Sequence, residues 1–296
     1  MKLKKSTSVL GDALDVLARL PNSSFDACIA DPPYNMSKKK GLGWAFSKHV
    51  TMEEAWDRFS KEEYFGFCFK WITEVCRVVK PNGNLFLFGT YHNIYTMGFI
   101  LQQLDLKILN SIVWVKPNAQ PNITCRMLTE SSEQIVWATN NTNKDASHWT
   151  FDYQRAKTFN EGKQLRNIWS MPVTAKSERV GGHPSQKPLA LLERLVVLGT
   201  NPGDWILDPF AGVGTTAVAA LKNDRKFLVV EKLTRYTKAQ KERFQKIDKL
   251  SQVDFITAKD LGKSLSKAKA TNTNAKKPAK KEIKPSTILQ AANTVL

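Results

Sequence analysis

With 296 residues the chain is long enough to bury a full core, and its 42% hydrophobic content sets it apart from disordered and fibrous proteins. Forty-four basic residues against 27 acidic ones leave a net charge of +17, which points to a polyanionic partner and puts nucleic acid ahead of a membrane surface. No run approaches transmembrane length, Asp12 and Asp15 interrupt any secretory signal after Lys2, Lys4 and Lys5, and the four cysteines, Cys28, Cys68, Cys76 and Cys125, lack disulfide or metal spacing, so the chain reads as intracellular.

Gly11-Asp12-Ala13-Leu14, followed by Leu17 and Leu20, predicts a short helix capped near Asp12 and ended by Pro21-Asn22. Phe25 to Ala30 reads as a buried strand, and at its carboxyl end, where open α/β sheets bind ligands, stands Asp31-Pro32-Pro33-Tyr34. Two prolines fix φ and donate no N–H, which leaves the carbonyls of Asp31 and Pro32 pointing outward. With the Asp31 carboxylate they make a cluster of acceptors suited to an amino group, and Tyr34 adds a flat face for an aromatic ring. The corner therefore reads as a socket for the exocyclic amine of a nucleobase. An ordinary turn uses the same residue types, and it is the second signal downstream that favours the socket.

From 35 to 60 the sequence turns basic and irregular, with Lys38, Lys39, Lys40 and Lys48, and is expected to be a surface loop that closes over DNA. Glu62 to Val79 carries a helical apolar stripe, followed by a strand at Asn84 to Phe88 and a helix at Ile94 to Leu104. Strands at Asn110 to Val115 and Glu133 to Ala138, joined by a long loop, are expected to form a hairpin-like edge of the sheet. From 139 to 180 the periodicity fades and Arg155, Lys157, Lys163 and Arg166 interleave with aromatics, a mixture suited to groove and phosphate contacts. From 259 to 296 nine lysines face only Asp260 and Glu282, a low-complexity tail expected to stay unfolded and tether nucleic acid.

The second signal is Asp204-Trp-Ile-Leu-Asp208-Pro-Phe210-Ala211-Gly212-Val-Gly214-Thr215-Thr216, which reads as a strand, a glycine turn and a helix running through Leu221. The glycines permit close backbone approach and the helix start offers N–H groups to a ligand. Lys226 to Val230 forms the next strand and leaves Glu231 where a carboxylate takes both hydroxyls of a ribose. A dinucleotide oxidoreductase shares Gly-x-Gly with a downstream acid, but the third glycine is missing, and S-adenosylmethionine fits better. Upstream, His183-Pro184-Ser185-Gln186-Lys187-Pro188 opens a helix whose N-terminus, with Ser185 and Lys187, suits the methionine carboxylate of that cofactor; His183 reads equally as a structural cap.

Asp-Pro-Pro-Tyr, then His-Pro-Ser-Gln-Lys-Pro, then Asp-Pro-Phe-Ala-Gly-Val-Gly-Thr-Thr resembles, in that order, the beta-class DNA amino-methyltransferases over residues 8 to 245. The resemblance implies an α/β fold: an open, doubly wound, mostly parallel sheet with an antiparallel hairpin edge, as a methyltransferase domain over 1–258 with DNA-contacting insertions at about 35–60 and 139–180. It implies that Asp31, Pro32 and Tyr34 hold the target base. It also places Asp208, Phe210, Ala211, Gly212, Gly214, Thr215 and Glu231 along S-adenosylmethionine, with His183, Ser185 and Lys187 at its methionine end and Asp12 and Ala13 at its adenine. An Asp in the position of Asp31 favours adenine N6 as target over cytosine N4. Cytosine C5 chemistry is unlike this chain, because none of its cysteines follows proline. The implied enzyme is cytoplasmic, at the nucleoid when bound, and acts on double-stranded DNA; a cognate restriction endonuclease and a homodimer are compatible with it. An RNA amino-methyltransferase and an inactive DNA-binding subunit are the competing readings.

Overall fold

The computed structural model describes residues 3–35, 59–122, 125–142 and 147–263. Nine strands form one sheet: β1 (Ser6–Leu10), β2 (Phe25–Ala30), β3 (Val79–Gly89), β4 (Lys107–Val115), β5 (Ser132–Thr139), β6 (Ile168–Ser170), β7 (Trp205–Asp208), β8 (Lys226–Glu231) and β9 (Val253–Thr257). Their order across the sheet is β6-β4-β5-β3-β2-β7-β8-β1-β9, and only β5 runs antiparallel to its neighbours.

Alternation along the strands sorts side chains into two cores. Cys28 and Ala30 of β2, Leu85 and Leu87 of β3 and Leu207 of β7 share one face with α1 (Ala13–Leu17), α2 (Lys61–Val78) and α3 (Ile94–Gln103). Ile29, Phe86, Phe88, Ile206 and Phe227 point the other way, onto α5 (Leu189–Gly199), α6 (Thr215–Lys222) and Phe244 of α7 (Thr234–Lys246). Ala156 of α4 (Tyr153–Thr158) joins that second core.

The helix from β2 to β3 lies on the first face and the helix from β7 to β8 on the second. β2 and β7 are neighbours, so the chain leaves the sheet in opposite directions on either side of one crevice, the switch point where such sheets bind ligands.

Several elements differ from the sequence reading. β4 and β5 do form a hairpin, but β6 pairs outside β4 in parallel and is the true edge. β1 and β9 close the other side, and β1 opens on a polar run with no hydrophobic alternation to announce it. Ser6, Thr7 and Ser8 are buried, with the Ser8 hydroxyl donating to Gln240 Oε1 at 2.6 Å. β3 begins before Asn84, through an irregular stretch in which Asn82 has φ +65. The fold also runs past the expected boundary at 258, because 258–263 form a helical turn that buries Leu261 in the first core.

Candidate functional site

Asp31 follows the last residue of β2 and Asp208 ends β7, so the proline corner and the glycine turn open on the same edge of the sheet. A single cavity of about 460 Å³ lies between them. It is within the size range of small-molecule sites. Every residue expected to meet the base or the cofactor lines it except Gly214, which has φ +78 and is tucked against Gln240.

In the base half, Tyr34 Oη donates to Asp31 Oδ1 at 2.7 Å and Lys187 Nζ to Asp31 Oδ2 at 2.7 Å. Glu133, the second residue of β5, stands opposite, with its Oε2 at 3.2 Å from Tyr34 Oη and 3.3 Å from Lys187 Nζ. Its Oε1 meets Lys116 Nζ at 3.4 Å. Tyr64 of α2 donates its hydroxyl to the Pro33 carbonyl at 2.7 Å and so pins the corner to the first-face helices. Burial, with Glu133 adding, raises the pKa of Asp31 while the Lys187 ammonium pulls it back. Burial also works against the Lys187 ammonium, but the two carboxylates outweigh it and hold its pKa above the usual amine value.

In the other half, Ala211 N–H donates to the Val230 carbonyl at 2.9 Å, which lays the turn across the end of β8. Gln240 of α7 donates to the Gly212 carbonyl at 2.7 Å, and Arg243 to the Val213 carbonyl at 3.1 Å and Thr215 Oγ1 at 2.9 Å. The Glu231 carboxylate accepts the Leu233 N–H at 2.7 Å. Its burial lifts its pKa to about 7 against the pull of backbone N–H groups. Phe210 packs its ring on Phe67 and Trp71 at 5.9 and 5.3 Å, an apolar wall for a purine. Asp12 caps α1 by accepting the Leu14 N–H at 3.0 Å. S-adenosylmethionine suits this donor and acceptor set: a carboxylate at a strand end for the ribose hydroxyls, an aromatic wall for the adenine, and a glycine turn for close approach.

The stretch before α5 differs from its expected part. The helix begins at Leu189, its first N–H is taken by Glu178 Oε1 at 2.8 Å, and Lys187 reaches Asp31 and Glu133 at the base end. His183 lies between the glycine turn and Tyr236, with ring centroids 4.6 Å apart, and burial beside Lys187 and Arg235 lowers its pKa to about 4, so the imidazole is neutral. Of the basic residues expected on DNA, Lys38, Lys39, Lys40 and Lys48 lie outside the described residues. Arg155 and Lys157 sit on α4 at the amino-end edge of the sheet: Asp152 N–H donates to Leu198 O, and Asn84 holds Thr150 O. That edge is opposite the cavity. Lys163 and Arg166 are exposed ahead of edge strand β6 and do not line the cavity either. Beyond them the Met171 carbonyl accepts Trp114 Nε1 at 2.8 Å beside β4, and the chain next lines the cavity at His183.

Sequence reasoning missed Glu133, Gln240 and Arg243. Gln240 is fully buried on the same helix as Tyr236, Ala239 and Phe244, and its spacing to the glycine turn carries no local signature. Among the described residues no cluster of three or more His, Cys, Asp or Glu is placed to hold a metal ion, and no helix is long and apolar enough to cross a membrane.

A family model described as DNA methylase matches residues 25–242. Type II methyltransferase M2.LlaDCHI of Lactococcus lactis subsp. cremoris is 40% identical over 248 residues, which is 82% of this chain and 91% of that one. Type II methyltransferase M2.DpnII of Streptococcus pneumoniae is 40% identical over 244 residues, 81% and 90% of the two chains. Among solved structures, M1.HpyAVI in complex with S-adenosylmethionine matches with TM-score 0.61 and 26% identity over 80% of this chain and 98% of that one. The cytosine-N4-specific PvuII DNA methyltransferase has the same fold, with TM-score 0.64 at 17% identity over 85% and 95%. With the proline corner and the glycine turn facing one cavity and these likenesses spanning most of its length, the chain belongs to the N6/N4 DNA methylases and is an S-adenosylmethionine-dependent DNA amino-methyltransferase.

Proposed function

We propose that this enzyme methylates the N6 amino group of adenine at a specific site in double-stranded DNA, with the target base turned out of the helix. The observation that carries the reading is the shared cavity, where the acceptor cluster of Asp31 and Pro32 and the Glu231 side of the glycine turn line one space. Asp at the corner, with a carboxylate facing the amine, supports adenine over cytosine N4, which is the alternative. The type II methyltransferases among its relatives support a companion restriction endonuclease and a cytoplasmic enzyme working at the nucleoid.

An aromatic amine is a poor nucleophile because its lone pair is delocalised into the ring. The Asp31 carboxylate and the Pro32 carbonyl accept its two hydrogens, which favours a pyramidal nitrogen and stabilises the positive charge that develops on it. Tyr34 stacks on the ring of the flipped base, which offsets part of the few kcal/mol lost in pairing and stacking. Glu231 and Asp12 hold the nucleoside end of the cofactor and the glycine turn admits its chain; bound S-adenosylmethionine supplies an electrophilic sulfonium methyl. His183, neutral and packed on Tyr236, keeps that side of the cavity free of further positive charge.

The test is expression in a methylation-free host followed by modification-sensitive sequencing, with labelled methyl transfer by the purified chain to duplex DNA and to structured RNA in parallel. Methyl-adenine at one recurring DNA sequence is expected, and Asp31→Ala should lower transfer by at least about 100-fold with cofactor affinity kept. Methyl on cytosine N4, transfer to RNA alone, or a fully active Asp31→Ala enzyme would each refute the assignment.

A further inference from the structure

Both oxygens of Asp31 are engaged by protein donors, Oδ1 by the Tyr34 hydroxyl and Oδ2 by the Lys187 ammonium, each at 2.7 Å. A carboxylate neutralised by an ammonium in this way is a weaker acceptor for an amine and stabilises less of the positive charge that builds on its nitrogen. For Asp31 to act with its full charge the ammonium must draw back, and Lys187, only 6% exposed, has no access to bulk water in which to do so. A buried ammonium stripped of its carboxylate is strongly disfavoured.

Both donors already touch a second carboxylate. Glu133 Oε2 lies 3.2 Å from Tyr34 Oη and 3.3 Å from Lys187 Nζ, the longer contact of each donor's pair. With Lys116 at Oε1 as a further partner, Glu133 offers both donors a contact that only has to shorten, so neither needs a new acceptor. Asp31, Glu133, Lys116 and Lys187 together balance two charges of each sign, so a change of partner within the group leaves no charge uncompensated.

We infer that Glu133 is a positioning residue that receives the Lys187 ammonium and the Tyr34 hydroxyl when the target amine docks, and thereby frees Asp31 to accept the amine. The ion pair changes partner instead of breaking, and Lys187 acts as a plug that keeps Asp31 satisfied between turnovers. This rests on the reading of Asp31 as receptor of the amine.

The experiment compares Glu133→Gln, Lys187→Gln and the double variant in single-turnover methylation of a duplex bearing the enzyme's site. A second duplex carries 2-aminopurine at the target position, whose fluorescence reports the flipped base but which has no C6 amine to place on Asp31. Glu133→Gln leaves Lys187 with Asp31 as its remaining carboxylate, so transfer is expected to slow about 100-fold while the 2-aminopurine signal and DNA affinity stay at wild-type values. With Lys187 also replaced there is no ammonium to receive, and the double variant is expected to be no slower than Lys187→Gln alone. Removing both charges together keeps the net charge of the group at zero, Asp31 against Lys116, so that comparison stands even if the single Glu133→Gln chain does not fold. Wild-type transfer by Glu133→Gln, losses that multiply in the double variant, or loss of the 2-aminopurine signal in Glu133→Gln would each overturn the inference. An Asp31→Ala enzyme that still methylates overturns the reading of Asp31 as well, whereas an inactive Asp31→Ala beside a fully active Glu133→Gln overturns this inference alone.

Discussion

Gln240, fully buried on α7, donates from Nε2 to the Gly212 carbonyl at 2.7 Å while its Oε1 accepts the Ser8 hydroxyl at 2.6 Å, so one amide ties the glycine turn to strand β1. Gln240→Leu preserves the volume but leaves a buried carbonyl and a buried hydroxyl without partners. The expected destabilisation is about 1–3 kcal/mol for each, read as a lower urea midpoint with an unchanged slope. Because the turn is held from behind, cofactor affinity should fall while the rate at saturating cofactor holds. An unchanged midpoint and affinity would show that the amide is incidental.

Two glycines separate a conformational requirement from an accident. Gly212 has φ +50, and a Cβ there would lie 2.7 Å from His183 Nε2. Gly212→Ala is expected to cost about 1–3 kcal/mol in strain and to weaken cofactor binding by calorimetry. Gly98, inside α3, meets nothing within 4 Å of an added Cβ, and Gly98→Ala should stabilise the protein by about 0.5–1 kcal/mol. Equal effects of the two substitutions in thermal unfolding would contradict both arguments.

Asp208 is 4% exposed, and burial, with Asp31 and Glu231 adding their charge, raises its pKa to about 7 against bonds from Thr216 and the Phe210 N–H. In the unfolded chain it titrates near about 4. Between those two values the folded state keeps a proton that the unfolded state has released, so the stability contributed by Asp208 is full below the lower value and lost as pH rises through the upper. The difference in unfolding free energy between the wild type and Asp208→Asn should therefore shift against the wild type from pH 5 to pH 8 and then level off. A difference independent of pH would place Asp208 in a solvated setting.

What the sequence made legible were features written locally. The corner after β2, the glycine turn, the cap at Asp12 and the stripes of α2 and α5 each rest on residues a few positions apart, and Glu231 follows the turn by one helix and one strand. Strand β1 escaped because Ser6, Thr7 and Ser8 are buried through hydrogen bonds and carry no apolar alternation. Glu133 escaped because its value lies in facing Asp31 across the β3–β5 pairing, which no spacing encodes. Lys187 was legible as a functional cation but not as a partner of Asp31, since nothing in its neighbours says which end of the cavity a long side chain reaches. That Arg155 and Lys157 lie away from the cavity was not legible, because composition reports that a segment is basic and is silent on which edge of the sheet it covers.

The lysine-rich C-terminal segment allows a clean separation of affinity from specificity, provided that the cut respects the fold. Truncation at 259 would remove Leu261, which is fully buried, so a chain ending at Lys263 is the proper comparison. Contacts between lysines and phosphates release counterions and carry no base information, and each one lost lowers the slope of log affinity against log salt by about 0.9. The shortened chain is expected to bind DNA more weakly at low salt, to show a shallower salt slope, and to methylate the same sequence at a similar rate once DNA is saturating. Fluorescence anisotropy across a salt series gives the slope, and sequencing of DNA modified by both chains gives the site. A changed target sequence would mean that the segment reads bases, and an unchanged slope that its lysines do not meet phosphate.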